Sequence, residues 1–259
     1  MSDIIFPRRE LIARAGGLVA AAGALPLLSA CDAINDAPAV RKILSMGEEM
    51  NRASQRALID RNALAREFSR ADLSPYFRPN GTRLPVGADY AAHAASGFAD
   101  WRVKVSGLVA RPLSLSMADI RAMPQRTQIT RHDCVEGWSA IGRWTGVQLH
   151  RILEAAAVKD GARYIVFRCA DRIGGALYYE SCDMIDARHP QTILAWALNG
   201  AVLPIANGAP LRLRIERQLG YKHAKYVNAI EAVASLDHIG AGKGGYWEDR
   251  VDYEWYAGI

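Results

Sequence analysis

The chain lacks the marks of several common protein classes. It has only 4 cysteines in 259 residues and no Cys-x-x-Cys pair. It lacks the polar bias of a disordered chain and the periodicities of collagen or a coiled coil; 50% of its residues are apolar and 23% charged, as in a globular protein. No uncharged apolar run reaches the roughly 20 residues of a transmembrane helix. The longest uncharged stretch lies between Arg14 and Asp32, and its Gly and Ala content is that of an export signal. Charge of one sign is also in short supply. Lys+Arg 32 against Asp+Glu 27 leaves +5, which permits an anionic ligand but does not indicate nucleic acid. There is no internal repeat.

What is present starts with an address. Residues 8–31, RRELIARAGGLVAAAGALPLLSAC, have a basic start, a weakly apolar middle and a small-residue end. The pair Arg8-Arg9 favours the twin-arginine route, which exports folded proteins and suits a chain whose cofactor is inserted before export. Leu28-Ser29-Ala30-Cys31 resembles a lipobox, and lipidation at Cys31 would anchor the chain to the inner membrane on its periplasmic side; cleavage after Ala30 without lipid is the alternative. With Cys31 spent, Cys134, Cys169 and Cys182 remain, and an odd number cannot all pair internally.

The organisation reads as three parts: a signal over 1–31, a helical linker or brace over 32–75, and one globular domain over 76–259. Ile43, Met46, Met50, Ala53, Ala57, Leu64 and Phe68 recur at steps of three and four, which predicts one helix over 38–70. Trp101, Val103 and Val105 alternate with polar residues, a half-buried strand closed by Gly107, and residues 164–170 (YIVFRCA) form a more buried one. Thr145-Gly-Val-Gln148 has a capping-box pattern that predicts a helix start near 146. Asn199-Gly200 between two apolar runs marks a hairpin. Strands and helices do not alternate as βαβ units, so the class is α+β.

Two familiar motifs fail on context. Residues 240–245 (GAGKGG) satisfy G-x-G-x-x-G, but too little chain follows for a dinucleotide fold. Ile141 stands where a nucleophile elbow needs glycine. The most specific stretch is 131–153, where Cys134 lies among Arg131, His132 and Arg143, cations that favour a metal-ligating thiolate. A buried free thiol is the alternative; a zinc site from His132, Cys134 and Cys169 or Cys182 has an unusual spacing. In the second stretch, 189–227, Arg212, Arg214, Arg217, Lys222 and Lys225 cluster after Asn207-Gly208, which suits phosphate unless the face is simply solvated.

Several of these motifs occur together in one order: residues 134–139 (CVEGWS), 144–147 (WTGV), His189-Pro190, 207–212 (NGAPLR) and 220–225 (GYKHAK). In this the chain resembles the sulfite oxidase family of molybdopterin enzymes over roughly residues 75–259, and within it the catalytic subunits of periplasmic protein-methionine-sulfoxide reductases. The resemblance implies the molybdopterin-binding fold of that family and molybdenum held by the pterin dithiolene and one protein thiolate, Cys134. It places Asn80, Asn207, Arg212 and the run Lys222, His223, Ala224 and Lys225 at cofactor-binding positions, with Lys225 on the phosphate. Cys169 falls where the reductases have Thr, which leaves its contact open, and the nucleotide form of the pterin is not implied. The haem domain and C-terminal dimerisation domain of larger relatives are missing, so a monomer that draws electrons from a membrane haem protein is expected.

The activity implied is oxygen-atom transfer on a small sulfur compound, chiefly reduction of methionine sulfoxide, free or in oxidised protein. Sulfite oxidation is the same chemistry reversed, with Arg131, Arg143 or Arg172 as candidate anion binders. His132, adjacent to the ligand, is placed behind it or in a structural hydrogen bond, His223 and Trp138 are placed to line the pocket, His189 caps or braces a turn, and the aromatic tail 246–256 packs on the core. From other classes, an anion-binding lipoprotein without catalysis and a zinc hydrolase are the competitors.

Overall fold

The computed structural model describes residues 38–259; the export signal, the lipobox and Cys31 lie outside the described residues. The chain divides after Ser54 into two units. In the first, helix α1 (Pro38–Leu58, whose last four residues belong to the second unit) presents Ile43, Met46 and Met50 to solvent. The helix is shorter than the 38–70 that its periodicity predicts. Asp60 stops it: its carboxylate accepts the Asn62 amide N–H at 2.7 Å, an Asx turn that competes with helical bonding. Beyond it the chain lies along a sheet edge, where Glu67 bridges Thr130 and the Phe68 N–H donates to the Ile129 carbonyl at 2.8 Å.

The second unit holds two five-stranded sheets. One contains β1 (Arg102–Gly107), β2 (Leu113–Ser116), β5 (Tyr164–Ile173), β6 (Ala176–Asp183) and β10 (Val227–Val233), in the order β2-β1-β10-β5-β6. Only the β1–β10 pair in it is parallel. The other runs β3 (Gln125–Cys134), β4 (Trp138–Gln148), β7 (Ile193–Leu198) and β8 (Ala201–Val202), with β9 (Arg212–Arg214) also pairing β7. Short helices α2 (Ala88–Ala95), α3 (Met117–Ala122), α4 (Leu149–Ala156), α5 (Met184–Ala187) and α6 (Tyr246–Val251) connect or flank these strands. This is the α+β class read from the sequence.

Local chemistry explains most elements. Val103 and Val105 are buried while Arg102 and Lys104 face water, as the alternation demands. Asn199 and Gly200 both take positive φ, 54° and 89°, the backbone a type I′ turn needs between β7 and β8. Thr145 does not cap a helix. It stays in β4, its hydroxyl bonded to Thr127 across the ladder at 2.8 Å, and α4 starts at Leu149 once the strand pairing ends. Nor does β9 show a wet basic face: Arg212, Leu213 and Arg214 are all fully buried. β7 pairs one edge of β9, Lys225 bridges the other, and Trp144 lies beneath both guanidinium groups, 5.4 Å from Arg212 and 4.4 Å from Arg214.

Candidate active site

Cys134 is the last residue of β3 and opens the tight turn 134–137, where Gly137 at φ +83° donates its N–H to the Cys134 carbonyl at 3.0 Å. Strand alternation puts Gln128, Thr130, His132 and Cys134 on the buried face and turns Arg131 outward to Asp133, at 2.9 Å. The cations that act on Cys134 are therefore Arg212 and Arg78, not Arg131 or Arg143 as the sequence suggested. Burial dominates and pushes the thiol up; the Glu136 amide, then Arg212 and Arg78, pull the other way. An anionic sulfur at this position calls for a further positive partner.

Cys134 lines a cavity of about 180 Å³ together with Asn80, His223 and Lys225, four residues that the family resemblance placed at the site. Arg212 and Asn207 lie directly behind it. Arg212 donates to the Asn80 side-chain oxygen at 2.9 Å and to the Asn207 carbonyl at 3.3 Å, while its Nε has no partner. No carboxylate meets it, and burial, with Arg214 adding, brings its pKa down to about 9. Lys225 is held only by carbonyls, those of Thr82 and of Ala206 (2.9 Å), and burial with Arg212 brings it down to about 7. Gly208 sits against Lys225 at φ +112°, where any side chain would press on the lysine stem.

Other expected residues are elsewhere. Lys222 is turned away from the cavity into a buried ion cluster with Glu180 and with Glu248 (2.6 Å), which neutralises it and removes it as a phosphate ligand. Ala224 contributes its carbonyl to the Leu213 N–H (2.8 Å) and its methyl group to the core. Cys169 is fully buried opposite Val227, its thiol pushed up by burial, and does not line the cavity. Cys182 is likewise a buried free thiol. Arg143 and Arg172 stay outside: the first lies at the Asn199–Gly200 turn, the second donates to the Gly175 carbonyl. His189 does brace a turn, through the Ala63 carbonyl and the Gln191 N–H.

His223 and His132 face each other, ring centroids 5.0 Å apart. His223 Nε2 donates to the Ile215 carbonyl at 2.8 Å, and Arg214 donates to His132 Nδ1 at 2.9 Å. Burial, reinforced by Arg212 and Arg214, holds both far below the usual histidine range, so both are neutral imidazoles. His132 is buried behind the wall rather than lining it.

The sequence reading missed half of the wall. Glu136, Thr82 and Asp171 face the cavity, as do Tyr178 and Tyr221, and Trp247 and Tyr253 come from the tail that was expected only to pack. Two signals were available: Glu136 is two residues from Cys134, and Asp171 is a lone acid ending a buried strand. The aromatic wall had no local signal.

The residues present fit a phosphate-bearing, thiolate-ligated group. Two buried cations with no acid within ion-pair distance, Lys225 in the wall and Arg212 with an orphaned N–H behind it, accompany the single thiol of the cavity. Among the described residues, no three His, Cys, Asp or Glu side chains are grouped to hold a metal ion alone. The class defined is an oxidoreductase with an anionic metal cofactor, and the comparisons make it specific. Residues 91–238 match the family described as oxidoreductase molybdopterin binding domain, and the chain belongs to that family.

Among relatives, it is 38% identical over 236 residues to protein-methionine-sulfoxide reductase subunit YedZ1 of Azospira oryzae, covering 91% of this chain and 83% of that one. Among solved structures, the sulfane dehydrogenase SoxCD of Paracoccus pantotrophus matches with a TM-score of 0.49 and 22% identity, over 53% of this chain and 39% of that one.

Proposed function

We propose that this molybdopterin-dependent oxidoreductase reduces methionine sulfoxide, free or in oxidised protein. The observation that carries the reading is the cavity itself: one thiol in the wall, two buried cations beside it with no acid within ion-pair distance, and aromatic rings in the same lining. The relative named as a methionine-sulfoxide reductase subunit supports the substrate. Bound there, a molybdenum cofactor would supply reversible two-electron chemistry.

The chain's own residues do the rest. Arg212 and Lys225 meet the phosphate charge that their burial lacks, with Asn80 and Asn207 orienting the Arg212 fork. Cys134 loses its proton on ligation, against the upward push of burial. Tyr178, Tyr221, Trp247 and Tyr253 exclude water and accept the alkyl arms of a neutral sulfoxide. Sulfite is the weaker substrate reading, since no arginine lines the cavity while Glu136 does, and its carboxylate repels a dianion. Export by the twin-arginine route, anchoring at Cys31 in the periplasm and electron supply from a membrane haem protein complete the proposal.

The test is molybdenum analysis and sulfoxide turnover of protein matured in a molybdenum-replete host. About one molybdenum per chain is expected, with methionine sulfoxide reduced and both signals lost in Cys134→Ser. Zinc, or correctly folded protein without metal, overturns the reading.

A further inference from the structure

Asp171 is the one carboxylic acid buried at this cavity. It is 3% exposed, and its Oδ1 has no hydrogen-bond partner. The strand is built to aim it inward. On β5, Arg168 stands opposite Tyr179 and the next registered pair is Arg172 with Leu177, so residues 169–171 face Tyr178 alone. That bulge re-aims the side chains of an otherwise apolar buried strand, and it lies directly beside the site. The Thr82 side chain and the residue's own backbone N–H are the hydrogen-bond partners of the carboxyl.

We propose that Asp171 is the proton donor for oxygen removal in this cavity. The inference rests on the sulfoxide-reductase reading above. Reducing a sulfoxide breaks the S=O bond: sulfur gains an electron pair, and the oxygen leaves as water after taking up two protons. The electrons come from the reduced cofactor, recharged by a membrane haem donor. One proton comes from Asp171 and the other from solvent, and solvent reprotonates Asp171 between turnovers.

Three other groups in or at the wall do not fill this role. The His223 Nε2 proton is committed to the Ile215 and Gln218 carbonyls. Burial lifts the Tyr178 phenol well above its usual range, and its proton is given to the Tyr221 carbonyl. Glu136 stands exposed at the mouth, accepting from the Trp138 indole at 3.0 Å.

The charged and titratable surroundings of Asp171 set its poise. Lys225 is the cation facing it, with Arg83 close to that lysine. Tyr90 on α2, Tyr226 before β10, Tyr178 on β6 and Cys169 on its own strand all feel its charge. Burial is the largest influence and pushes the carboxyl up to about 6, against the hydrogen bond of Thr82 and the charge of Lys225. When Lys225 is neutralised by a phosphate, the downward pull weakens and the carboxyl holds its proton more firmly still.

The experiment uses molybdenum-loaded protein, wild type beside Asp171→Asn and Asp171→Glu. Infrared titration should show a protonated carboxyl band lost with a midpoint near or above 6, absent in Asp171→Asn. With a reduced viologen as electron donor, Asp171→Asn should lower kcat about 10²-fold with little change in KM and remove the fall in rate toward alkaline pH. Asp171→Glu should restore part of both. Wild-type kcat and pH profile in Asp171→Asn would overturn the proposal, as would persistence of the band. Loss of molybdenum in that variant would also overturn it, marking Asp171 as a cofactor contact instead. Molybdenum-loaded wild type that reduces no sulfoxide would bring down the underlying reading, a result seen without either variant.

Discussion

Lys222 and Lys225 lie three residues apart on one loop, both buried, and their surroundings are opposite. Lys222 has Glu180 and Glu248 within ion-pair reach, and those acids hold it above the usual lysine range despite its burial. Lys225 has two carbonyls, a neighbouring arginine and Asp171 beyond ion-pair distance, and falls to about 7. The same contrast runs along β9: Arg214 is paired with Glu216 at 2.6 Å, whereas Arg212 has no acid within ion-pair distance. A buried charge with its counter-ion is finished structure. A buried charge without one is costly unless something from outside completes it, and here the two incomplete charges stand together behind Cys134.

The comparison breaks or sharpens under substitution. The largest effect on stability belongs to Lys222→Met, which strands two buried carboxylates and should cost about 3–5 kcal/mol in denaturant unfolding. Lys225→Met should leave cofactor-free protein as stable as wild type or more so, while molybdenum retention falls about tenfold or more. If the two variants destabilise alike, the contrast is wrong.

A smaller effect concerns anions. Pyrophosphate in about 100-fold excess over its Kd should stabilise the cofactor-free protein by about 2.7 kcal/mol, read as a rise in Tm, and Arg212→Leu should abolish the rise.

The smallest effect is on pH dependence. Lys225 binds its proton only below about 7 when folded but below about 10.5 when unfolded, so its contribution makes stability rise with pH across that window. Lys222, held above 10.5, contributes stability that is present below 10.5 and lost as pH rises through its folded value. Lys225→Met should flatten the rise, visible in Tm against pH.

Part of this was legible in the sequence because it is local. The Asn-Gly hairpin, the alternating β1 and the ordered family motifs depend on neighbours one to four residues apart. The expected site residues Asn80, Cys134, Asn207, Arg212, His223 and Lys225 do come together. Other expectations failed where distant partners compete with local pattern. The periodicity over 38–70 overlooked the turn at Asp60, and the capping box at Thr145 lost to strand pairing with Thr127. The tail 246–256 was read as packing, yet it supplies Trp247 and Tyr253 to the cavity.

By itself, the sequence determined the class of the domain, its single thiol among cofactor-binding motifs and the pool of cations near them. Only the tertiary structure decided which cations are spent. Glu180 and Glu248 are 42 and 26 residues from Lys222, and no spacing rule along the chain connects them. The physical reason is that a charge's role depends on burial and on the nearest opposite charge, and both are properties of packing rather than of sequence neighbourhood.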